Sequence, residues 1–131
     1  MAGGTGKREI LIRTRAIAIR ARLLDTPTAD RIWHALPIYA HVRTWGREVY
    51  FTASIACGRE AEVRDVVVAG ELAYWPDGDA IAIGFGPTPA SQGGEIRLAS
   101  PCNIWAVALD DVTALGSARD GDPIAVIQAD S

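Results

Sequence analysis

The chain has little of several things that would narrow its function. Its 131 residues include two cysteines, two histidines, one methionine and a single lysine, Lys7. Two cysteines, Cys57 and Cys102, do not make a disulfide-dense secreted scaffold. Far apart and without a CxxC pair, they read as small buried hydrophobes, with a mutual bridge left open. Histidines His34 and His41 have no cysteine or carboxylate at ligand spacing, so no metal site and no cofactor is expected. Positive charge is not in excess: the net charge is −3, so no basic field exists to hold a phosphate backbone and nucleic acid is not an expected partner. No apolar run approaches the roughly 18 residues of a membrane span. The opening MAGGTGKRE also lacks the apolar stretch of a signal peptide. The expected compartment is therefore the cytoplasm, with no membrane partner. Twelve arginines against one lysine hint at a GC-rich, bacterial genome.

What is present is an ordinary globular composition, 49% hydrophobic and 22% charged, enough for a real core at this length. We find neither an internal repeat nor a low-complexity linker. Residues 1–8 read as a flexible N-terminus and 9–128 as one domain. Ile10 and Ile12 share a face, as do Ile17, Ile19, Ala21 and Leu23, with a phase change near Thr14–Arg15, which predicts a β-hairpin. Thr26-Pro27 starts a short helix as cap and first residue, Ala29, Ile32, Trp33 and Leu36 follow at helical spacing, and Pro37 ends it. Strands then dominate. His41–Ile55 reads as a strand broken or bulged at Gly46, with Val49, Phe51, Ala53 and Ile55 facing the core. Val66–Val68, Glu71–Trp75 and Ala80–Phe85 are further strands, the last two joined by the turn Pro76-Asp77-Gly78-Asp79. Gly86–Gly94 is a long loop, Cys102–Leu109 a strand, Asp110–Leu115 a helical turn capped by Asp110 and stopped by Gly116, and Pro123–Gln128 the last strand. Several strands are apolar on both faces, which fits a closed or nearly closed small barrel without exposed edges.

No catalytic constellation stands out. Gly3-Gly4-Thr5-Gly6-Lys7 lacks the strand and spacing of a phosphate-binding loop. Lys7, Arg8, Arg13, Arg15, Arg20 and Arg22 read as solvated outer positions of the hairpin, since no stacking aromatics interleave them. The pairs Asp77/Asp79, Asp110/Asp111 and Asp120/Asp122 fall in turns and caps, where aspartate bonds the local backbone. Glu48 differs. It sits inside a strand, where glutamate is disfavoured, and points either into a pocket or to solvent. Trp45, Tyr50, Tyr74, Trp75 and Phe85 flank the long loop carrying Thr88 and Ser91. They are either barrel core or the lining of a ligand cleft in which Thr88, Ser91 and Asn103 orient the ligand.

Blocks at Thr44–Phe51 (TWGREVYF), Gly70–Gly78 (GELAYWPDG) and Phe85–Ser91 (FGPTPAS), with Glu95–Arg97 and Asn103–Ile104, resemble the small prokaryotic cyclophilin-like proteins, an atypical branch of the cyclophilin fold. The resemblance spans residues 9–128. It implies a mainly β fold, a closed eight-stranded cyclophilin-like β-barrel with one or two short helices, and no established activity. Two departures bear on pocket shape: Gly84 stands where relatives carry a bulky apolar residue and would open a cavity, and Ala106 replaces a common glycine and would narrow one. True cyclophilins isomerise prolyl bonds with an arginine in a Phe-His-Arg block. That block is absent, and the Gln92-Gly93-Gly94-Glu95 echo of a cyclophilin segment stands without it. An arginine is still needed to break amide resonance electrostatically, and Arg43, Arg47 and Arg97 are the possible substitutes. The sequence therefore supports three expectations. The first is a barrel binding a small molecule or short peptide through Glu48, Tyr50, Tyr74, Trp75, Phe85, Thr88, Ser91 and Asn103. The second is a diverged peptidyl-prolyl isomerase. The third is a surface-acting interaction protein, with a homodimer as one form.

Overall fold

The computed structural model describes residues 8–129; the glycine-rich residues 3–7 and most of the N-terminal segment lie outside them. The described residues form ten strands, one α-helix and one 3-10 helix. Strands β1 (Glu9–Thr14) and β2 (Ile17–Leu23) make the predicted hairpin. It turns at Arg15, whose φ of 53° lies in the left-handed region. Ile10, Ile12, Ile19 and Ala21 face inward and are all but fully buried. The arginines of the hairpin point out, and three of them are paired: Arg20 and Arg22 reach Glu9 at 3.4 and 3.0 Å, and Arg15 reaches Asp122 at 3.2 Å. Helix α1 (Pro27–Ala35) begins as expected, with Thr26 Oγ1 accepting from Ala29 N and Pro27 in its first turn. Ile32 and Ala29 are its buried stripe.

The segment after α1 departs from the sequence expectation. Gly46 does not interrupt one strand; it turns a hairpin. The chain runs β3 (Ile38–His41), β4 (Arg43–Thr44) and, after the turn, β5 (Glu48–Thr52), and β4 pairs back on β5 through Thr44 and Val49. Gly46 has φ of 59°, and a Cβ there would lie 2.8 Å from Pro89 Cδ and 2.9 Å from Thr88 Cα. Glycine is thus required by conformation and by crowding together. Beyond β6 (Arg64–Val67), the hairpin of β7 (Glu71–Trp75) and β8 (Ala80–Gly84) matches its prediction. Next comes β9 (Ile96–Ala108), which starts six residues before the predicted Cys102, so the strand contains Pro101. The 3-10 helix spans Val112–Ser117, including Gly116, and is capped by Asp111, which accepts from Thr113 N at 2.9 Å. Asp110 is not the cap because its Oδ2 accepts from Arg20 N on β2. Strand β10 (Pro123–Gln128) matches the expectation residue for residue.

The sheet order is β3-β10-β1-β2-β9-β7-β8-β5-β4, with β6 attached to β9. β3 and β4 are one stretch of chain, divided at Val42. Its first half pairs with β10 and its second half with β5, so this one segment joins both ends of the sheet and nearly closes the barrel. Counted once, with β6 set aside, it leaves eight staves rather than nine; the strand count of ten reflects this break and the extra β6.

Two apolar clusters result. The larger fills the barrel around Trp105, Tyr74, Phe51 and the isoleucines of β1 and β2. The smaller lies outside the barrel wall. There β6 and the first half of β9, through Val67, Ile96 and Leu98, cover Ala73 and Ala82 on β7 and β8. Gly84 belongs to this outer layer, and Ile96 Cγ2 stands 2.5 Å from where its Cβ would be. The expected cavity at Gly84 is therefore filled by Ile96.

Candidate functional site

The alternation of β5 sends Glu48, Tyr50 and Thr52 to the outer face while Val49 and Phe51 enter the barrel. Register carries that face across the sheet: Glu48 opposes Gly84, Tyr50 opposes Ala82, and Ala82 opposes Ala73. Ile96 covers Gly84, and the small side chain of Ala82 is the floor that stays open beside Tyr50. Trp75, at the end of β7, and Trp45, in the β4–β5 turn, rise beside this floor, and the first half of β9 roofs it. The space enclosed is a pocket of about 160 Å³, lined by Trp45, Glu48, Tyr50, Trp75 and Ala82, with Leu98–Ser100 and Cys102 on the roof.

Glu48 is only 6% exposed. Its Oε1 has no hydrogen-bond partner among the described residues. Burial alone pushes its carboxyl up to about 7, because a charge in this apolar setting is poorly solvated. Cys102, beside it, is a free thiol. Its Sγ donates to Ser100 O at 3.3 Å, and burial with the nearby Glu48 and Asp65 charges pushes it up to about 12. It therefore stays protonated and adds no charge to the pocket. Trp75 Nε1 is also buried without a partner. The Trp75 ring is seated on the following turn, where Gly78 leaves it room: a Cβ there would meet Cε3 at 2.2 Å.

Tyr50 and Trp75 are also walls of a wider groove of about 610 Å³, open between β3 and β5 and bordered by Tyr39, His41, Arg43 and Ser54. β3 is bonded on its β10 side only, so the seam facing β5 is where the barrel is least closed.

The other residues expected to bind a ligand lie elsewhere and have partners. Tyr74 is inside the barrel; its hydroxyl donates to Asp79 Oδ1 at 2.6 Å and accepts from Cys57 N at 3.1 Å. Phe85 is core, with the Arg47 guanidinium 5.2 Å above its ring. Thr88 and Ser91 staple the long loop to β9: Thr88 Oγ1 donates to Arg97 O, and Ser91 Oγ accepts from Thr88 N and Arg97 N. Asn103 is fully buried, and both ends of its amide are used. Nδ2 donates to Thr28 Oγ1 and Gly58 O, each at 2.9 Å, and Oδ1 accepts from Glu60 N at 2.9 Å. It anchors the start of α1 and the 57–60 loop to β9. Of the arginines, Arg97 is engaged by Glu95 at 2.7 Å and Asp65 at 2.9 Å, Arg47 lies over Phe85, and Arg43 borders the groove. Among the described residues no group of three His, Cys, Asp or Glu could hold a metal ion, and no helix is long and apolar enough to cross a membrane.

The outer-face residues the sequence left out are Leu98, Ala99, Ser100 and Cys102. The alternation of Ile96 and Leu98 against Arg97 and Ala99 marks them as strand, but Pro101 masks that signal.

The described residues form a mainly β, nearly closed barrel with short helices, a cyclophilin-like fold. The chain matches the Cyclophilin-like family over residues 8–127 and belongs to it. It is also similar to the solution structure of a hypothetical protein from Archaeoglobus fulgidus, with 34% identity, 95% of this chain and 96% of that chain covered, and a TM-score of 0.81. No curated protein matches it.

Proposed function

We propose that this barrel binds a small molecule or the side chain of a short peptide in the outer-face cleft where Glu48, Tyr50 and Trp75 meet. One observation carries this reading: a carboxyl group buried with an oxygen that has no partner among the described residues, on a side chain that lines an aromatic pocket. A buried polar group left unpaired costs roughly 1–3 kcal/mol, and such groups with shifted ionisation cluster at functional sites. The pocket is smaller than the roughly 300–1,000 Å³ typical of drug-sized ligands. It suits one compact group, with the rest of the ligand lying in the groove beyond Tyr50 and Trp75.

The test is a backbone amide NMR titration with a panel of small fragments and Xaa-Pro peptides. Shifts focused on residues 45–50, 75 and 98–102 are the expected outcome; shifts scattered over the surface would overturn the site. Arg43 on the groove favours a second reading, the diverged prolyl isomerase. Exchange spectroscopy on the same peptides separates the two, because uncatalysed exchange takes tens of seconds or longer. Acceleration that disappears in Arg43→Ala would make the chain an isomerase.

A further inference from the structure

We propose that the Glu48 pocket takes a compact organic cation, an alkylammonium head group. This deepens the preceding reading and rests on it. The chemistry of the walls selects the class. Trp45, Tyr50 and Trp75 supply three rings of the kinds to which cations are drawn, tryptophan being the strongest. Glu48 supplies the single anionic group of the lining, and its Oε1 has no donor among the described residues. Among the described residues no arginine is paired with it: Arg97 is engaged by Glu95 and Asp65, Arg64 by Glu71 at 2.6 Å, and neither Arg43, opposite Tyr50, nor Arg59, near Cys102, bonds to it. Cys102, on the same wall, is neutral. A bound ammonium would be drawn to the Glu48 carboxylate while its alkyl carbons rest on the rings and on Ala82 and Leu98.

Size and ligand number exclude the near alternatives. At roughly 30 Å³ for each water-sized group, the 160 Å³ pocket holds about five heavy atoms, the scale of a methylated ammonium. A hard metal cation needs six or more oxygen ligands, and here one carboxylate faces carbon and rings. The competing organic chemistry is a neutral amide, whose carbonyl would accept a hydrogen bond from the O–H of a neutral Glu48.

The experiment titrates the full chain with methylammonium, tetramethylammonium and N-methylacetamide, and with a short peptide carrying trimethyl-lysine. It follows tryptophan fluorescence and the amide shifts of residues 45–50 and 98–102. Both ammonium ions are expected to bind more tightly than N-methylacetamide, and Glu48→Gln to weaken them about tenfold or more while leaving N-methylacetamide within about twofold. Folding of Glu48→Gln is checked by its far-UV spectrum, and Tyr50→Leu, which removes a ring but no charge, is expected to weaken tetramethylammonium as well. If the peptide outbinds the free ions, the head group arrives on a chain; if the free ions bind equally, on a small molecule. N-methylacetamide binding at these residues without the cations would overturn the cation and leave the pocket standing. Absence of focused shifts with every probe would overturn both.

Discussion

Glu48 shows at the scale of one residue how position governs chemistry. In the unfolded chain its carboxyl ionises near 4.5; in the fold burial holds the proton up to about 7. Between those values the folded state binds more protons than the unfolded chain, so stability falls as pH rises, and the penalty is fully present above about 7. At 1.36 kcal/mol per unit its full size is on the order of 3 kcal/mol. Carboxylates such as Asp79 and Glu71, held below their ordinary range by hydrogen bonds that outweigh burial, act with the opposite sign and at lower pH. We therefore expect Glu48→Gln to raise the thermal midpoint relative to the parent at pH 8 and to match it at pH 4.5. A difference that does not grow with pH across that window would contradict the burial of an unpaired carboxylate. Asn103 is the converse case: also buried, but with both N–H donors and its Oδ1 engaged within the protein.

At the scale of the element, Gly46 decides whether residues 38–55 form one strand or a hairpin. The alternation of Val49, Phe51, Ala53 and Ile55 was legible because one face is buried. The hairpin was not, because Thr44-Trp45-Gly46-Arg47 carries only one turn residue, and its tightness is set from outside by Arg47 N donating to Pro87 O and by Phe85 N donating to Arg47 O. Left-handed backbone costs an alanine roughly 1–2 kcal/mol, and here a Cβ also meets the Thr88 backbone at 2.9 Å. Gly46→Ala is expected to lose more than about 2 kcal/mol in urea unfolding and to shift Trp45 fluorescence; a loss under 1 kcal/mol would show that the 86–89 loop yields. The helix start, the β7–β8 turn and β10 were legible for the opposite reason. Thr26-Pro27, Pro76-Asp77-Gly78-Asp79 and the apolar run after Pro123 carry their geometry within a few residues. Strand β9 was half legible, since Pro101 breaks a run whose continuity depends on its pairing with β6.

For the whole molecule, closure depends on the C-terminal strand. β10 lies between β1 and β3, with Ile10 opposite Gln128 and Ile38 opposite Val126. The barrel therefore cannot complete itself until the last strand is in place. Deletion of 123–128 is expected to abolish the cooperative urea transition by removing one stave and exposing both neighbours. A retained sharp transition, seen alike by tryptophan fluorescence and circular dichroism, would show that the remaining sheet closes without β10.

The sequence by itself determined the strand-dominated class, the family blocks and the identity of the inward faces, because alternation and turn residues are local and one face of each strand is buried. It also singled out Glu48, a glutamate at a position that ought to be apolar or solvated. Which alternative holds was decided only by the tertiary structure. The roof over Glu48 comes from β9, some 50 residues away in the chain, and its floor from Ala82, whose small size means nothing until register sets it beside Tyr50. The same is true of Tyr74, Phe85 and Asn103: their types fit a site or a core equally well, and only partners distant in sequence place them in the core.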